Sequence, residues 1–389
     1  MSTTAVTSVP LLDTTRGQEA IFDRMREVFD RVLTSGRYIL GPEVEGLEAE
    51  CAAYCGAQHA VGVSSGSDAL LVALMALDIG PGDEVVLPTF TFFATAGAVT
   101  RLGAKPVFCD VDPATFNVTS EELERHMSPR TKALMPVHLF GQCCDMDGIL
   151  DLAQRTGVPV VEDAAQAIGA EWRGRRAGSM GVMGCFSFYP TKNLGAVGDA
   201  GLVTTNDARI AERLGILRGH GMNPRYYHRE VGGNFRIDAL QAALLRVRLP
   251  ELDIAHEGRR RNAGLYRDLF VEAGLAPDRE GGQPSPDHLL TLPLEVDASH
   301  IYNQFVVRVA KGQRDELRAW LGQHGVGTEV YYPLSLHQQD CYRGLGHREG
   351  DFPVSEAAAK ETLALPIFPT LRRSEIDYVV ATMHAFTQR

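Results

Sequence analysis

Between residues 60 and 205 the chain alternates short apolar, β-branched runs with longer stretches whose apolar residues recur at helical spacing. A strand buried on both faces reads as a continuous apolar run, and two parallel strands need a crossover of roughly a dozen residues or more. The rhythm therefore predicts an α/β fold, a mostly parallel sheet flanked by helices. The expected strands are 60–63, 84–87, 105–108, 133–137, 159–162, 185–188 and 201–205, and the helices between them 68–77, 94–102, 120–127 and 146–155. Gly80-Pro81-Gly82-Asp83 and Asp112-Pro113 place turn residues at the junctions such units require.

Outside this stretch, 18–35 and 42–55 read as amphipathic helices punctuated by Gly36 and Gly41, and 237–248 and 252–273 are helical in pattern. Beyond a Gly/Pro-rich stretch at 281–287, the run 303–309 and the helices 313–324 and 374–386 predict a smaller C-terminal α+β domain. The expected division is a large domain over 1–250, including the N-terminal helices, and a small one over 251–389. No fixed-period repeat or low-complexity tract interrupts it.

With 389 residues, 44% of them hydrophobic, the chain can bury a full core, and a net charge of −11 argues against nucleic acid as a bulk partner. The apolar runs are broken by Gly, Asp or Arg well short of a membrane span, and the first residues lack a basic stretch followed by an apolar one. No membrane association and a cytoplasmic location are expected. The seven cysteines, among them the pairs Cys51/Cys55 and Cys143/Cys144, show no spacing that gathers four zinc ligands, so reduced thiols and no metal are expected.

Chemistry enters with Lys192, which follows an apolar strand inside FSFYPTKNLG (186–195), in a loop with glycines at 195, 198 and 201. A lone lysine is most often a solvated surface charge; the alternative is a lysine held for covalent work. Four needs of pyridoxal phosphate can be sought around it: an amine, an acid for the pyridine nitrogen, donors for the phosphate, and a flat or apolar neighbour for the ring. Asp163, closing the apolar run 158–161, sits where a parallel sheet presents its C-terminal edge to a ligand, although Glu162 or Asp163 would serve equally as a helix cap. Ser64-Ser65-Gly66-Ser67-Asp68 joins a strand to a helix and offers free N–H groups at the positive helix end, to which Ser187 adds a hydroxyl. Phe92 in PTFTFF (88–93) is the candidate ring partner, and a core position is its ordinary alternative.

Taken together, the motifs SSGSDAL (64–70), PTFTFFATA (88–96), PVHLFGQ (136–142), VVEDAAQAIGA (160–170), FSFYPTKNLGAVGDAG (186–201) and VGGNFRIDALQAA (231–243) resemble the DegT/DnrJ/EryC1/StrS family of sugar aminotransferases, which have the type I aminotransferase fold. The resemblance implies that Lys192 is the Schiff-base lysine carrying pyridoxal 5′-phosphate as a covalent aldimine, that Asp163 pairs with the pyridine nitrogen, and that Gln166 lies near the ring hydroxyl. It implies further that Ser65, Gly66, Ser67, Asp68 and Ser187 hold the phosphate, that Phe92 stacks on the ring, and that Asn234 reaches the phosphate from the neighbouring subunit of a homodimer. Related sugar dehydratases carry histidine at the lysine position. Lysine at 192 favours transamination, with L-glutamate as the implied amino donor and ping-pong kinetics.

Substrate contacts are sought in three segments. EVYYPLSLH (329–337) is similar to the segment that approaches the sugar in members acting on 3-keto sugars, which makes Tyr331, Tyr332 and His337 candidates; a packed tyrosine pair is the alternative. The His-, Tyr- and Arg-rich stretch 220–229 offers His220 and Tyr227 for a nucleotide or diphosphate, or is a solvated loop. Tyr189 and Arg236 complete the set. The function expected is amino transfer to C3 of a dTDP- or UDP-linked 3-keto sugar in amino-sugar biosynthesis. A 4-keto sugar or a keto-cyclitol is the alternative substrate, and a regulatory protein that kept the cofactor fold but lost turnover is the alternative class.

Overall fold

The computed structural model describes residues 6–278, 285, 287–297 and 299–389. The Gly/Pro-rich stretch at 281–287 lies outside the described residues except for Ser285 and Asp287.

Two amphipathic helices, α1 (Glu19–Ser35) and α2 (Pro42–Cys55), precede the sheet, and each ends on a left-handed glycine, Gly36 and Gly56. The repeating units follow as β1 (His59–Val63), α3 (Gly66–Ala76), β2 (Glu84–Pro88), α4 (Phe93–Arg101), β3 (Lys105–Cys109), α5 (Ser120–His126), β4 (Thr131–Leu134), α6 (Met146–Thr156) and β5 (Val161–Asp163). A two-residue ribbon, β6 (Glu171–Trp172) and β7 (Arg175–Arg176), leads to β8 (Met183–Ser187), β9 (Gly201–Thr205), α7 (Ala208–Leu217), α8 (Ala239–Arg248) and α9 (Leu252–Glu272).

Strands β3-β2-β4 pair in parallel, and β5-β8-β9-β1 form a second ladder. Parallel bridges from Leu134 to Val160 and from Val137 to Asp163 join the two into one surface ordered β3-β2-β4-β5-β8-β9-β1. Only β9 runs against its neighbours. Its connection from β8, residues 188–200, contains no helix, and without a crossover a strand returning beside its predecessor must be antiparallel. That connection carries Lys192.

Apolar cores cover both faces of this sheet. One gathers α1, α2, α6 and α8 through residues such as Val32, Leu47, Ile149 and Leu245; the other gathers α3, α4 and α7 through Leu70, Val99 and Leu214. Helix α3 lies under the sheet with Ala69 to Leu74 all buried, which is why its sequence is apolar almost all round.

A separate antiparallel sheet, β10 (Leu290–Thr291), β11 (Phe305–Val309) and β12 (Thr362–Leu365), packs with α9, α10 (Arg314–Gln323) and α12 (Arg373–Thr387) around Tyr266, Phe305 and Phe368. Val9 belongs to this core, bridging to Val326, so the first residues side with the C-terminal sheet although the sequence grouped them with the large domain. Helix α11 (Pro353–Glu361) was not among the expected elements, because PVSEAAAKE has no large apolar residue at helical spacing beyond Val354. Asp110 at the end of β3 holds its first turn by accepting from Val354 N, Ser355 N and Ser355 Oγ at 2.9, 2.8 and 2.6 Å. Among the described residues no helix is long and apolar enough to cross a membrane.

Glu162 anchors the middle of the large sheet from its buried face. Its carboxylate accepts from Gly178 N at 2.7 Å, Met180 N at 2.8 Å, Gly181 N at 2.5 Å and His138 Nε2 at 3.0 Å. His138 Nδ1 accepts from Cys144 N at 3.1 Å, so the proton of this imidazole sits on Nε2. Burial by itself would raise the Glu162 pKa, but the donated hydrogen bonds outweigh it and hold the carboxyl below its ordinary 4.5. A depressed carboxyl contributes stability above its unfolded pKa, and that contribution is lost as the pH falls through the folded value. Glu162→Ala strands four donors, two of them fully buried, and is expected to destabilise the fold by about 3–5 kcal/mol in urea denaturation at pH 7, with the difference from the parent protein shrinking below pH 4.5.

Candidate active site

The C-terminal ends of β1, β5 and β8 lie at one edge of the sheet, because β9 is antiparallel to both β1 and β8 and β5 is parallel to β8. Asp163 closes β5, the loops leaving β1 and β8 carry Ser65 and Lys192, and all three line one cavity of about 510 Å³. Three segments separated by up to 127 positions thus meet in one place, as is usual for ligand sites in open α/β sheets.

The lysine loop is held by its own backbone. Phe188, fully buried, donates its N–H to Ala200 O at 2.8 Å and accepts from Ala196 N at 2.7 Å, while Lys192 N closes a turn onto Tyr189 O at 2.8 Å. Gly195 is required there, since a Cβ would stand 2.4 Å from Pro190 O. Burial lowers the Lys192 amine from 10.5 to about 8, and the Asp163 carboxylate opposes that shift.

Asp163 is pushed up by the same burial, against hydrogen bonds from Thr95 Oγ1 at 2.8 Å and Ala165 N at 3.2 Å and the nearby Lys192 charge. Thr95 Oγ1 also bonds Thr91 Oγ1 at 3.1 Å. These two threonines were not singled out in the sequence. Thr95 lies in the first turn of α4 and Thr91 just before that helix, so only the contact of this turn with the end of β5 brings them to Asp163, and nothing local in the sequence marked them.

The turn from β1 into α3 is the element that could cradle a phosphate. Ser65 caps the helix, accepting from Asp68 N at 3.1 Å, and Gly66, Ser67 and Ser187 line the cavity around the helix start. Gly66 permits the close approach of β8, as a Cβ there would lie 2.5 Å from Ser187 Cβ. Asp68, expected among the ligands, does not line the cavity. Its carboxylate receives Ser64 Oγ at 2.7 Å and Ser65 Oγ at 3.0 Å and so fixes the turn.

Phe92 stands 61% exposed at the N-cap of α4 and lines the cavity, so it is not a core residue. Gln166 is buried with both amide atoms engaged: Oε1 accepts from Phe140 N at 2.7 Å and Nε2 donates to Tyr332 Oη at 2.9 Å. The tyrosine pair divides between the two roles considered for it. Tyr332 packs on Phe140 and edge-on to Phe90, with ring centroids 6.0 and 5.4 Å apart, while Tyr331 is 40% exposed; both line the cavity. Tyr189, 53% exposed, lines it too, as do Asp199 and Gln304, which were not expected.

His337 is not at the site. Its ring is buried, bonded through Nδ1 to Thr89 Oγ1 at 2.9 Å and through Nε2 to Glu356 at 3.2 Å, and packed on Phe352, so the expected substrate contact is a framework residue. Asn234, Arg236, His220 and Tyr227 do not line this cavity either. Asn234 bridges to Gly219 with its side chain exposed, and Tyr227 is 69% exposed. Arg236 lies opposite Val63, one residue before the turn from β1 into α3, and its Nε is buried with no hydrogen-bond partner among the described residues.

The chain matches the DegT/DnrJ/EryC1/StrS aminotransferase family over residues 20–384. It is 46% identical to a pleiotropic regulatory protein of Geobacillus stearothermophilus over 97% of this chain and 98% of that one. It is 44% identical to the dTDP-3-amino-3,4,6-trideoxy-alpha-D-glucose transaminase of Streptomyces venezuelae over 98% and 97%. Among solved structures, S. venezuelae DesV in complex with a ketimine intermediate superposes with a TM-score of 0.91 at 42% identity, covering 99% of this chain and 100% of that one.

The opposing shifts of Lys192 and Asp163 make a prediction that needs no ligand. Asp163→Asn removes the charge that partly restores the lysine, so the Lys192 amine should titrate below about 8. The pH profile of Lys192 reductive methylation, followed by peptide mass spectrometry on protein freed of ligand, should shift to lower pH.

Proposed function

We propose that this chain, which belongs to the DegT/DnrJ/EryC1/StrS aminotransferase family, moves an amino group from L-glutamate to C3 of a nucleotide-linked 3-keto sugar, with pyridoxal phosphate carried on Lys192. The observation that carries the reading is the meeting of a half-buried amine lowered to about 8, a buried carboxyl group and a helix N-terminus in one cavity. The fit to the cofactor rests on the same edge. Gly66, having no Cβ, lets Ser187 of β8 come up against the start of α3, so that both line the cavity, and Phe92 offers an exposed ring to the same cavity.

When bound, pyridoxal phosphate supplies a carbonyl carbon that accepts an amine and a ring that draws in the electron pair left by the departing Cα proton. The Lys192 amine is partly neutral near pH 8, which suits it to attach the cofactor and, once released by the donor, to move a proton at Nζ. Asp163, aimed by Thr95 and Ala165, would hold a proton on the ring nitrogen. Gly66 and Ser67 N–H groups with the Ser67 and Ser187 hydroxyls would hold the phosphate. Gln166, clamped between Phe140 and Tyr332, limits how the ring edge can sit.

The transaminase relative from S. venezuelae supports a 3-amino product on a dTDP sugar, and a UDP sugar is the other nucleotide considered. A homodimer is supported by exposed apolar side chains on α1 and the segment after it, Phe29, Leu33, Tyr38 and Ile39, and by Asn234 lying away from its own chain's cavity. The name of the Geobacillus relative favours a second reading, a regulator without turnover. The two readings part on whether glutamate converts the bound cofactor to its amine form.

Lys192→Ala should lose the visible absorbance of the attached cofactor and at least about 100-fold of the rate, and borohydride should no longer fix cofactor to the chain. Fixation persisting in that variant would sink the assignment. Mixing Lys192→Ala chains with Asn234→Ala chains should restore activity to the mixed dimer, since one of its two sites then has both residues; no gain over either parent would exclude the shared site.

A further inference from the structure

A second cavity, of about 320 Å³, lies behind the lysine loop, between the N-terminal segment and α9. Thr191 and Lys192 line it as they line the first, so the loop is the wall that separates the two. Four guanidinium groups line it, those of Arg16, Arg248, Arg259 and Arg261, against the carboxylates of Asp13 and Glu251.

Both carboxylates are already engaged. Asp13 accepts from Thr15 N and Arg16 N and pairs with the Arg16 guanidinium at 3.2 Å, which also reaches Glu375 at 2.8 Å; Glu251 pairs with Arg24 at 2.9 Å. The other three arginines have only neutral carbonyl partners among the described residues. Arg248 Nη1 donates to Gly195 O at 2.7 Å, and Arg261 Nη2 to Pro369 O at 3.3 Å. Arg259 is only 4% exposed; its Nη1 reaches Tyr302 O at 2.9 Å, Ile367 O at 3.1 Å and Asn303 O at 3.5 Å, and its Nε has no partner. Burial lowers Arg248 below its ordinary value and Arg259 to about 10, the cost of cations that no anion offsets. The start of α1 opens on the same space. Gly17, Gln18 and Ile21 line it, and the N-cap Gln18 makes no side-chain hydrogen bond to the helix, so its first N–H groups are left uncapped.

We propose that this cavity is a second anion site, which takes a phosphate group and acts on the lysine loop from behind. A phosphate offers several oxygens to guanidinium groups and helix N–H groups together, whereas no aromatic ring lines the cavity to stack on a base. The path to the first cavity is short: Arg248 donates to Gly195 O on the lysine loop, and the loop itself is the shared wall. A negative charge there favours the protonated form of a neighbouring amine. The inference goes beyond the function proposed above and needs no amino transfer.

The test is calorimetric titration of the full-length protein saturated with pyridoxal phosphate, so that the cofactor's own phosphate fills the 64–68 turn. Inorganic phosphate and glycerol 3-phosphate are the probes, and the tighter of the two tells free phosphate from a phosphorylated metabolite. Saturable binding at about 1 mM or tighter is expected, weakened about tenfold or more in Arg248→Gln and in Arg261→Gln and partly regained in Arg248→Lys. Occupancy should move the pH midpoint of the bound cofactor's visible absorbance upward in the parent protein and not in Arg261→Gln. If a variant fails to fold, phenylglyoxal labelling of the parent protein decides, with phosphate expected to protect Arg248 and Arg261. Absence of saturable binding, binding unchanged in the variants (an adventitious ion only), a midpoint that phosphate leaves in place, or labelling unaffected by phosphate would each overturn the inference. Absence of amino transfer with phosphate binding intact would count against the parent function alone.

Discussion

Two opposite charges kept out of water at one edge of the sheet are what the site depends on. Lys192 is pushed toward its neutral form and Asp163 toward its protonated form by the same burial, and each holds the other back. Neither charge would be stable there without neighbours, because a buried ion needs both a partner and hydrogen bonds. Thr95 and Ala165 supply those bonds to the acid. The lysine stays because its loop is closed on both sides of Phe188.

The framework behind this pair explains why the elements around it tolerate little movement. Glu162 and Asp163 are adjacent in one strand and take opposite roles: Glu162 binds the loop 178–181 and His138 on the buried side, while Asp163 opens on the cavity. Phe90, Phe116, Phe140 and Tyr332 pack between the large sheet and the C-terminal sheet, together with Val306 and Ala364. Through the Tyr332 hydroxyl, that aromatic cluster continues into Gln166 and the wall of the cavity. The position of the C-terminal sheet and the shape of the site are therefore set by the same contacts.

Much of this was legible in the sequence. All seven expected strands of the large sheet are present, because a strand buried on both faces must be apolar throughout and its turns must carry Gly, Pro or Asp. Lys192, Asp163, Ser65, Gly66, Ser67, Ser187, Gln166 and Phe92 all reach one cavity, since each lies at or just beyond a strand end on a shared edge. Helix α11 escaped notice because a distant carboxylate, Asp110, stabilises it in place of an apolar stripe. His337 was misread because its buried partners Thr89 and Glu356 are 248 and 19 positions away, and nothing local distinguishes it from a ligand-facing histidine.

The sequence by itself determined the layered fold and put Lys192, Asp163 and the 64–68 turn at or just beyond strand ends; the roles expected of them came from the resemblance to a family, since composition and spacing left a solvated lysine and a helix cap open. Only the tertiary structure decided that β9 reverses, that Tyr332 packs in an aromatic cluster while Tyr331 stays exposed at the cavity, that Asp68 fixes the turn, and that four arginines gather behind the lysine. Which way a side chain points, and whether a charge finds a counter-charge, depends on contacts between segments far apart in the chain.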